Sequence, residues 1–145
     1  MDWKREAIDK LRGYEAKKQA LENIPDELQR LESSSTRIRS ARTDAEPVSG
    51  GGSTREDVLL SNIVHREELE RRLIEAKLWV ETVDRAMSLI DDDGKKILNG
   101  FFVNRTKGYI NRLCEELHLE QSHLYRRKDE ALRMFTLALY GITES

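Results

Sequence analysis

The chain has 145 residues, a formal net charge of −2 and 36% charged residues, and its aromatic side chains are three Phe, four Tyr and two Trp. This composition favours helices with charged faces over a β-sandwich or barrel, which would need more β-branched and turn residues. No run of about 18 apolar residues exists, and the N-terminal MDWKREAIDK has no apolar core, so we expect neither a membrane span nor a signal peptide. The single cysteine, Cys114, excludes an internal disulfide framework and fits a reducing compartment.

Apolar and small residues recur at helical spacing from the start of the chain, which predicts a helical segment over about 2–39 with a narrow apolar seam. The seam consists of Ala7, Leu11, Tyr14, Leu21, Ile24, Leu28, Leu31 and Ile38. Pro25 interrupts this segment and is followed by two acidic residues, a pattern typical of a helix that stops and restarts. We therefore expect a kink or a short break near Ile24.

Residues 40–53, with the sequence SARTDAEPVSGGGS, are predicted to be a linker because they contain a proline, three consecutive glycines and no periodic apolar residue. Ser53 and Glu56 form a candidate capping box at the start of a second helix, predicted over about 54–90. Its apolar seam advances mostly by alternating steps of four and three residues, which is typical of coiled-coil packing. The seam consists of Leu59, Ile63, Leu69, Leu73, Ala76, Val80, Val83, Met87 and Ile90.

The two predicted helices have similar lengths, each roughly 55 Å at a rise of about 1.5 Å per residue. Because a flexible segment joins them, we expect a long antiparallel, coiled-coil-like hairpin. Residues 1–90 are therefore predicted to be a helical hairpin, and residues 91–145 a separate domain. A hairpin buries only one stripe on each helix. We therefore expect it to pack against the C-terminal segment, against a second copy of the chain, or against both.

The C-terminal segment opens with residues 91–94, DDDG, which are predicted to end the hairpin and cap the next helix. Residues 95–103 have two interpretations. A helix would place Leu98 and both phenylalanines on one side, whereas Asn99-Gly100 between apolar runs also indicates a β-hairpin turn. Helical spacing in the neighbouring segments favours the helix.

A helix over about 108–117, a turn at 118–121 and a helix over about 122–140 follow. A helix-turn-helix needs a small residue where its helices cross, an apolar residue in the turn and an apolar anchor early in the second helix. Cys114, Leu119 and Leu124 fill these roles in order. The second helix is expected to be capped by Ser122 or its neighbour. An ordinary helical hairpin with a charged surface is the alternative interpretation, and in both cases the protein is predicted to be all-α.

The stretch from Leu119 to Arg133, LEQSHLYRRKDEALR, resembles the helix-turn-helix of sigma-factor region four. Residues 93–141 are similar to phage transcriptional regulators of the ArpU/RinA type, which are found in prophages of Gram-positive bacteria. The layout of the chain, a helical part followed by a Gly-rich linker and a C-terminal segment, is also similar to theirs. The resemblance implies a cytoplasmic protein of a bacterial host cell that binds double-stranded DNA.

The resemblance also implies roles for individual residues. Those in the base-facing positions of the recognition helix are Gln121, Ser122, Tyr125 and Arg126. Those that are candidates for DNA phosphate contacts are Arg127, Lys128 and Arg133. The local charge agrees with either a polyanion-binding patch or a solvated helix face, because residues 94–145 carry nine basic and six acidic side chains.

Chemistry beyond binding is not expected from this sequence. Cys114 and the three histidines supply neither the four ligands of a structural zinc site nor a nucleophile with a base and an orienting group. We therefore predict no metal, no cofactor and no enzymatic activity.

Two functions follow as hypotheses. The first is a transcriptional regulator that binds DNA through the C-terminal helix-turn-helix, as a homodimer because one recognition helix contacts too few base pairs for tight specific binding. The alternative is a protein-interaction module that contacts RNA polymerase or another phage protein without specific DNA binding, which the acidic residues 45–93 favour. A ring-forming DNA-packaging subunit fits less well, since its DNA-binding part usually comes first in the chain.

Overall fold

The structure, a computed structural model, describes residues 1–44 and 54–143. Within these ranges every regular element is a helix and none is a strand, which confirms the predicted all-α class. In chain order the elements are α1 (Trp3–Arg12), α2 (Tyr14–Asp44), α3 (Arg55–Met87), α4 (Asp92–Leu98), a π-helical turn (Asn99–Val103), α5 (Tyr109–Leu117) and α6 (Gln121–Tyr140).

The helices α2 and α3 form the predicted long antiparallel hairpin. Asn62 of α3 donates a side-chain hydrogen bond to the carbonyl oxygen of Leu31 in α2, at 3.0 Å. The start of α3 differs from the prediction by one residue. Thr54 and Asp57 form the reciprocal capping box, with the amide of Asp57 donating to Thr54 Oγ1 at 3.1 Å and the amide of Thr54 to Asp57 Oδ2 at 3.3 Å.

The predicted linker at 40–53 is only partly described. The helix α2 extends to Asp44, so residues 40–44 are helical and the prediction of a linker there is wrong. They form the last turn of α2, and they contain no Gly or Pro that would end the helix earlier. The Gly-rich part of the predicted linker, including Ser53 of the predicted capping box, lies outside the described residues.

Of the kink or short break predicted near Ile24, the break is wrong, because α2 runs without interruption through Pro25. An internal proline costs a helix about 3 kcal/mol. Ile24 is buried, and Leu21 and Leu28 are partly buried one turn before and after it. Burial of one continuous apolar face across Pro25 offsets the lost hydrogen bond, since tertiary packing commonly overrides local propensity.

The break in the first helical segment lies instead at Gly13, between α1 and α2. The indole of Trp79 approaches the backbone there, and its Nε1 donates to the carbonyl oxygen of Lys10 at 2.9 Å. A Cβ added to Gly13 would lie 2.6 Å from Cζ2 of Trp79. The ammonium group of Lys10 lies 4.0 Å from the centre of the same ring. Only a residue without a side chain fits at position 13.

The described chain divides into two compact units, which differ from the predicted domains 1–90 and 91–145. The terminal unit comprises Met1–Lys18 and Leu78–Ser145, and the hairpin unit comprises Gln19–Lys77. The boundary predicted at residue 90 therefore falls inside the terminal unit. The reason is that α1 and the end of α3 share a core with the C-terminal helices, which local periodicity does not reveal.

The core of the terminal unit joins residues from both ends of the chain. Its main cluster consists of Ala7, Leu11, Val83, Ala86, Ile90, Leu98, Ala131, Leu132 and Phe135. The helices α1 and α6 pack against each other, and the rings of Trp3 and Tyr140 extend this contact with centroids 4.9 Å apart. The α1 segment is therefore part of the C-terminal fold and not of the hairpin.

A side-chain hydrogen bond links the first turn of α2 to α3 within the terminal unit. The hydroxyl of Tyr14 donates to Asp84 Oδ1 at 2.6 Å. Desolvation, followed by this hydrogen bond and the nearby carboxylate charge, raises the pKa of Tyr14 from 10.0 to about 12. Desolvation and the charges of Glu6 and Asp9 also raise the pKa of Tyr140.

Replacing Gly13 by Ala should reduce the free energy of unfolding by about 1–3 kcal/mol, because the new Cβ collides with the Trp79 ring. Urea denaturation of the wild type, Gly13→Ala, Trp79→Phe and the double variant measures the coupling between the two sites. The double variant should be more stable than the sum of the single effects predicts. Additive effects of the two substitutions on stability would mean that the Trp79 indole is not the reason why position 13 requires glycine.

The Tyr14–Asp84 hydrogen bond should make stability depend on pH in the alkaline range. The folded pKa lies above the unfolded value, so the contribution of Tyr14 is complete below about pH 10 and is lost as the pH rises towards about 12. Tyr14→Phe should cost about 1 kcal/mol at neutral pH. The wild type should lose more stability than this variant between about pH 9 and about pH 11, as measured by denaturant titration. Equal losses would contradict the assignment.

Candidate nucleic-acid interface

The helices α5 and α6 form a helix-turn-helix around a small apolar cluster. Its buried members are Ile97, Phe101, Leu113 and Leu124. Cys114 and Leu119 are partly buried and pack against this cluster, so the predicted roles of Cys114, Leu119 and Leu124 agree with the packing.

The turn between α5 and α6 depends on a left-handed residue. His118 adopts φ 55° and ψ 47°, a conformation that L-residues other than Asn, Asp and His rarely take. The amide of Leu119 then donates to the carbonyl oxygen of Cys114 at 3.0 Å. This bond satisfies a carbonyl at the end of α5 and turns the side chain of Leu119 towards the cluster.

Residues 95–103 take the helical alternative and not the β-hairpin. The end of α4 widens into the π-helical turn Asn99–Val103. A Cβ on Gly100 would lie 2.9 Å from Cδ1 of Leu113, so the glycine permits close packing on α5. The expectation that Leu98 and Phe101 share one side is wrong. The wider turn shifts the phase, so that Leu98 joins the main cluster and Phe101 the helix-turn-helix cluster.

The start of α4 is capped as predicted and is held against α6. Asp91 Oδ1 accepts a hydrogen bond from the amide of Gly94 at 2.9 Å. Arg127 of α6 lies with its guanidinium nitrogen 3.7 Å from carboxylate oxygens of both Asp91 and Asp93. Arg127, a predicted phosphate contact, is therefore partly buried in an intramolecular ion pair.

The start of α6 is not capped by a side chain. Its N-cap residue is Glu120, which makes no capping hydrogen bond, so the expected cap by Ser122 or a neighbour is not formed. Gln121, Ser122 and Arg126 are exposed to solvent. Tyr125 is 37% exposed, and its ring packs edge-on against Phe101 with centroids 5.7 Å apart. The first two turns of α6 thus present amide, hydroxyl, phenol and guanidinium groups to solvent.

Six of the seven predicted site residues fall into two neighbouring rows on α6, and Arg127 lies outside both. Helical spacing places Ser122, Arg126 and Arg133 in one row, with Asp129 between the two arginines. Gln121, Tyr125 and Lys128 form the adjacent row. Lys128 is partly buried, and its ammonium group lies 2.7 Å from Asp129 Oδ1 and 5.6 Å from the centre of the Tyr125 ring.

Among the predicted cations of α6, the exposed ones without an ion pair to another described residue are Arg126 and Arg133. Arg127 and Lys128 both have acidic neighbours. The structure therefore separates four cations that the sequence places close together. Arg126 and Arg133 point to solvent, Arg127 links α6 to the start of α4, and Lys128 pairs with the adjacent Asp129.

Several basic residues for which no role was predicted lie around the start of α5. Arg105 stacks over the ring of Tyr109 at 4.6 Å, and Lys107 is exposed. Arg112 donates to Thr106 Oγ1 at 2.7 Å and to the carbonyl oxygen of Lys107 at 3.0 Å, which fixes the loop before α5. The N-cap, Gly108 with φ 78°, has no capping side chain. The signal in the sequence was the run Asn104-Arg-Thr-Lys next to the helix-turn-helix.

Other kinds of site receive no support from the described part of the chain. Residues 1–44 and 54–143 contain no group of three His, Cys, Asp or Glu side chains arranged to hold a metal ion. None of the helices within these ranges combines the length and the apolar character needed to cross a membrane.

Comparison with known proteins identifies a family. Residues 37–136 match the model of a family described as "Protein of unknown function (DUF1492)". The match covers more than half of the chain and includes α5, most of α6 and all seven predicted contact residues. No curated protein and no solved structure matches the sequence. The chain therefore belongs to the DUF1492 family.

Proposed function

We propose that this protein binds double-stranded DNA through the helix-turn-helix of α5 and α6 and regulates transcription, as phage regulators of the ArpU/RinA type do. The observation that carries the proposal is the polar and cationic surface at the start of α6. Gln121, Ser122 and Arg126 are exposed there, while Leu124 and Leu113 are buried beneath them. A recognition helix needs exposed donors and acceptors in its first turns on a rigid support.

The proposed contacts differ in chemistry along α6. Gln121 and Arg126 carry the donor groups suited to bidentate contacts with adenine and guanine edges, and Ser122 and Tyr125 add hydroxyl groups. Arg133, farther along the same row, is suited to a phosphate oxygen. Lys107, exposed beside the start of α5, is suited to a contact with the DNA backbone, which the first helix of a helix-turn-helix crosses.

Arg127 and Lys128 are weaker candidates for phosphate contacts. Each would have to exchange an acidic neighbour in the protein for a phosphate. We propose that Arg127 acts mainly in stabilising the fold, because its contacts with Asp91 and Asp93 tie the start of α4 to α6. Its removal should therefore lower stability more than it lowers DNA affinity.

The second candidate function is contact with RNA polymerase or another phage protein without specific DNA binding. It is favoured by the acidic residues beside the exposed arginines, since Asp129 lies in the same row as Arg126 and Arg133. Together with the net charge of −2, these acids weaken attraction to a polyanion. A homodimer that neutralises ~6–8 phosphates should show a log–log salt slope of roughly −5 to −7, whereas a protein-interaction module should show a shallow slope.

Substitution of the exposed arginines should reduce DNA affinity in two distinguishable ways. Arg126→Ala should lower affinity for the preferred sequence by about tenfold or more, because a bidentate base contact is lost. Arg133→Ala should weaken binding to all sequences similarly and reduce the magnitude of the salt slope of the homodimer by about two, because each protomer loses one phosphate contact. Fluorescence anisotropy with the DNA upstream of the protein's own gene, titrated over salt, measures both effects.

Arg127→Ala is the matched control, because it removes the same charge from the same helix. It should lower the free energy of unfolding by about 0.5–1 kcal/mol and leave DNA affinity close to that of the wild type. The proposal is wrong if Arg126→Ala and Arg133→Ala bind as the wild type does. Sequence-independent binding with a shallow slope, together with saturable capture of RNA polymerase, would establish the second candidate instead.

A further inference from the structure

One face of α3 exposes large apolar side chains along most of its length. Leu60, Val64, Ile74 and Leu78 are between 57% and 70% exposed. Their spacing places all four on one side of the helix, opposite the side that contains the buried Asn62 and Ala76. The helix therefore has one apolar face within the fold and a second one that is largely exposed to solvent among the described residues.

The exposed face has the spacing of a coiled-coil seam. Leu60, Glu67 and Ile74 are separated by seven residues each, and Val64, Arg71 and Leu78 form a second series with the same spacing. We refer to these six residues as the outer stripe. Its two central members are charged and exposed, and Glu67 makes no ion pair with any other described residue. Two apolar pairs thus flank an opposite-charge pair.

The order of apolar and charged residues along the outer stripe is complementary to the same stripe running in the opposite direction. If a second α3 lies antiparallel with its centre at residue 69, Leu60 faces the partner's Leu78, and Val64 faces the partner's Ile74. Glu67 then faces the partner's Arg71, and by symmetry Arg71 faces the partner's Glu67. A twofold axis requires a surface of this kind, on which every contact occurs twice.

We propose that the outer stripe of α3 is a homodimer interface, in which the α3 helices of two copies of this chain pack antiparallel. Charge complementarity selects this occupant and this direction. A parallel dimer in register would bring Glu67 against the partner's Glu67 and Arg71 against the partner's Arg71, which costs free energy. A one-heptad shift of the antiparallel pair would place charged residues opposite apolar ones. The central pair therefore specifies one register, the role that polar residues take in coiled coils.

The local charges allow Arg71 to serve both chains. Within its own helix Arg71 contacts Glu68, and Arg72 contacts the same carboxylate with its Nε 3.0 Å from Oε1. An exposed contact of this kind contributes little stability. Because Arg72 remains to neutralise Glu68, Arg71 can turn towards the partner's Glu67. The stripe is about 27 Å long from Leu60 to Leu78, so we expect a reversible dimer.

Charge reversal of the central pair tests the proposal directly. Sedimentation equilibrium of the full chain without DNA should give a concentration-dependent dimer. Glu67→Arg and Arg71→Glu should each raise the dissociation constant on the order of tenfold or more, since both variants bring like charges together. A mixture of the two variants should form a 1:1 heterodimer, because each arginine then meets a glutamate. The double variant should also dimerise with near wild-type affinity.

The matched controls are Glu27→Arg and Arg30→Glu, which reverse an exposed Glu–Arg contact on α2. They should leave the dissociation constant unchanged, and thermal unfolding should show that all variants are folded. A wild-type chain that stays monomeric, or a mixture that fails to restore dimers, would overturn the proposal. The proposal does not rest on DNA binding, so its failure and that of the proposed function are distinguishable.

Discussion

The packing of α6 is the constraint on which the terminal unit depends. Leu124 and Phe135 are both completely buried, but they belong to different apolar clusters. Phe135 holds α6 in the main core with α1, α4 and the end of α3, while Leu124 holds the helix-turn-helix. One helix therefore serves as the centre of both clusters. The orientation of the exposed polar groups at the start of α6 therefore depends on the packing of Phe135 in the main cluster, several turns away along the helix.

Local features of the structure could be predicted from the sequence. The helix-turn-helix depends on residues close together in the chain, and Cys114, Leu119 and Leu124 identify it by their order. The same holds for the cap at Asp91, whose partner Gly94 is three residues away. The helical class followed from periodicity alone, because the apolar spacing of α3 and α6 reflects which faces are buried.

Features that depend on distant partners could not be predicted. The sequence indicates a break at Pro25 and none at Gly13. In the structure the break lies at Gly13, where the Trp79 ring packs against the backbone. The local sequence around Gly13 does not indicate that this distant ring will pack there. Arg126 and Arg127 are adjacent and look equivalent. They differ only because Asp91 and Asp93 lie beside one of them in the folded chain. Charge counts along a sequence cannot separate cations engaged within the fold from those free to bind a ligand.

The contact between α1 and α6 has a consequence for synthesis on the ribosome. The residues that form the hairpin unit come from consecutive stretches of chain, so its helices can pair as soon as α3 has emerged. Ala7 and Leu11, by contrast, have no complete core until Leu132 and Phe135 are made. Loop closure over so long a separation is slow, and apolar surface stays unburied in the meantime. The helix α1 is therefore made well before its core is complete, and its apolar face is covered only after α6 has been synthesised.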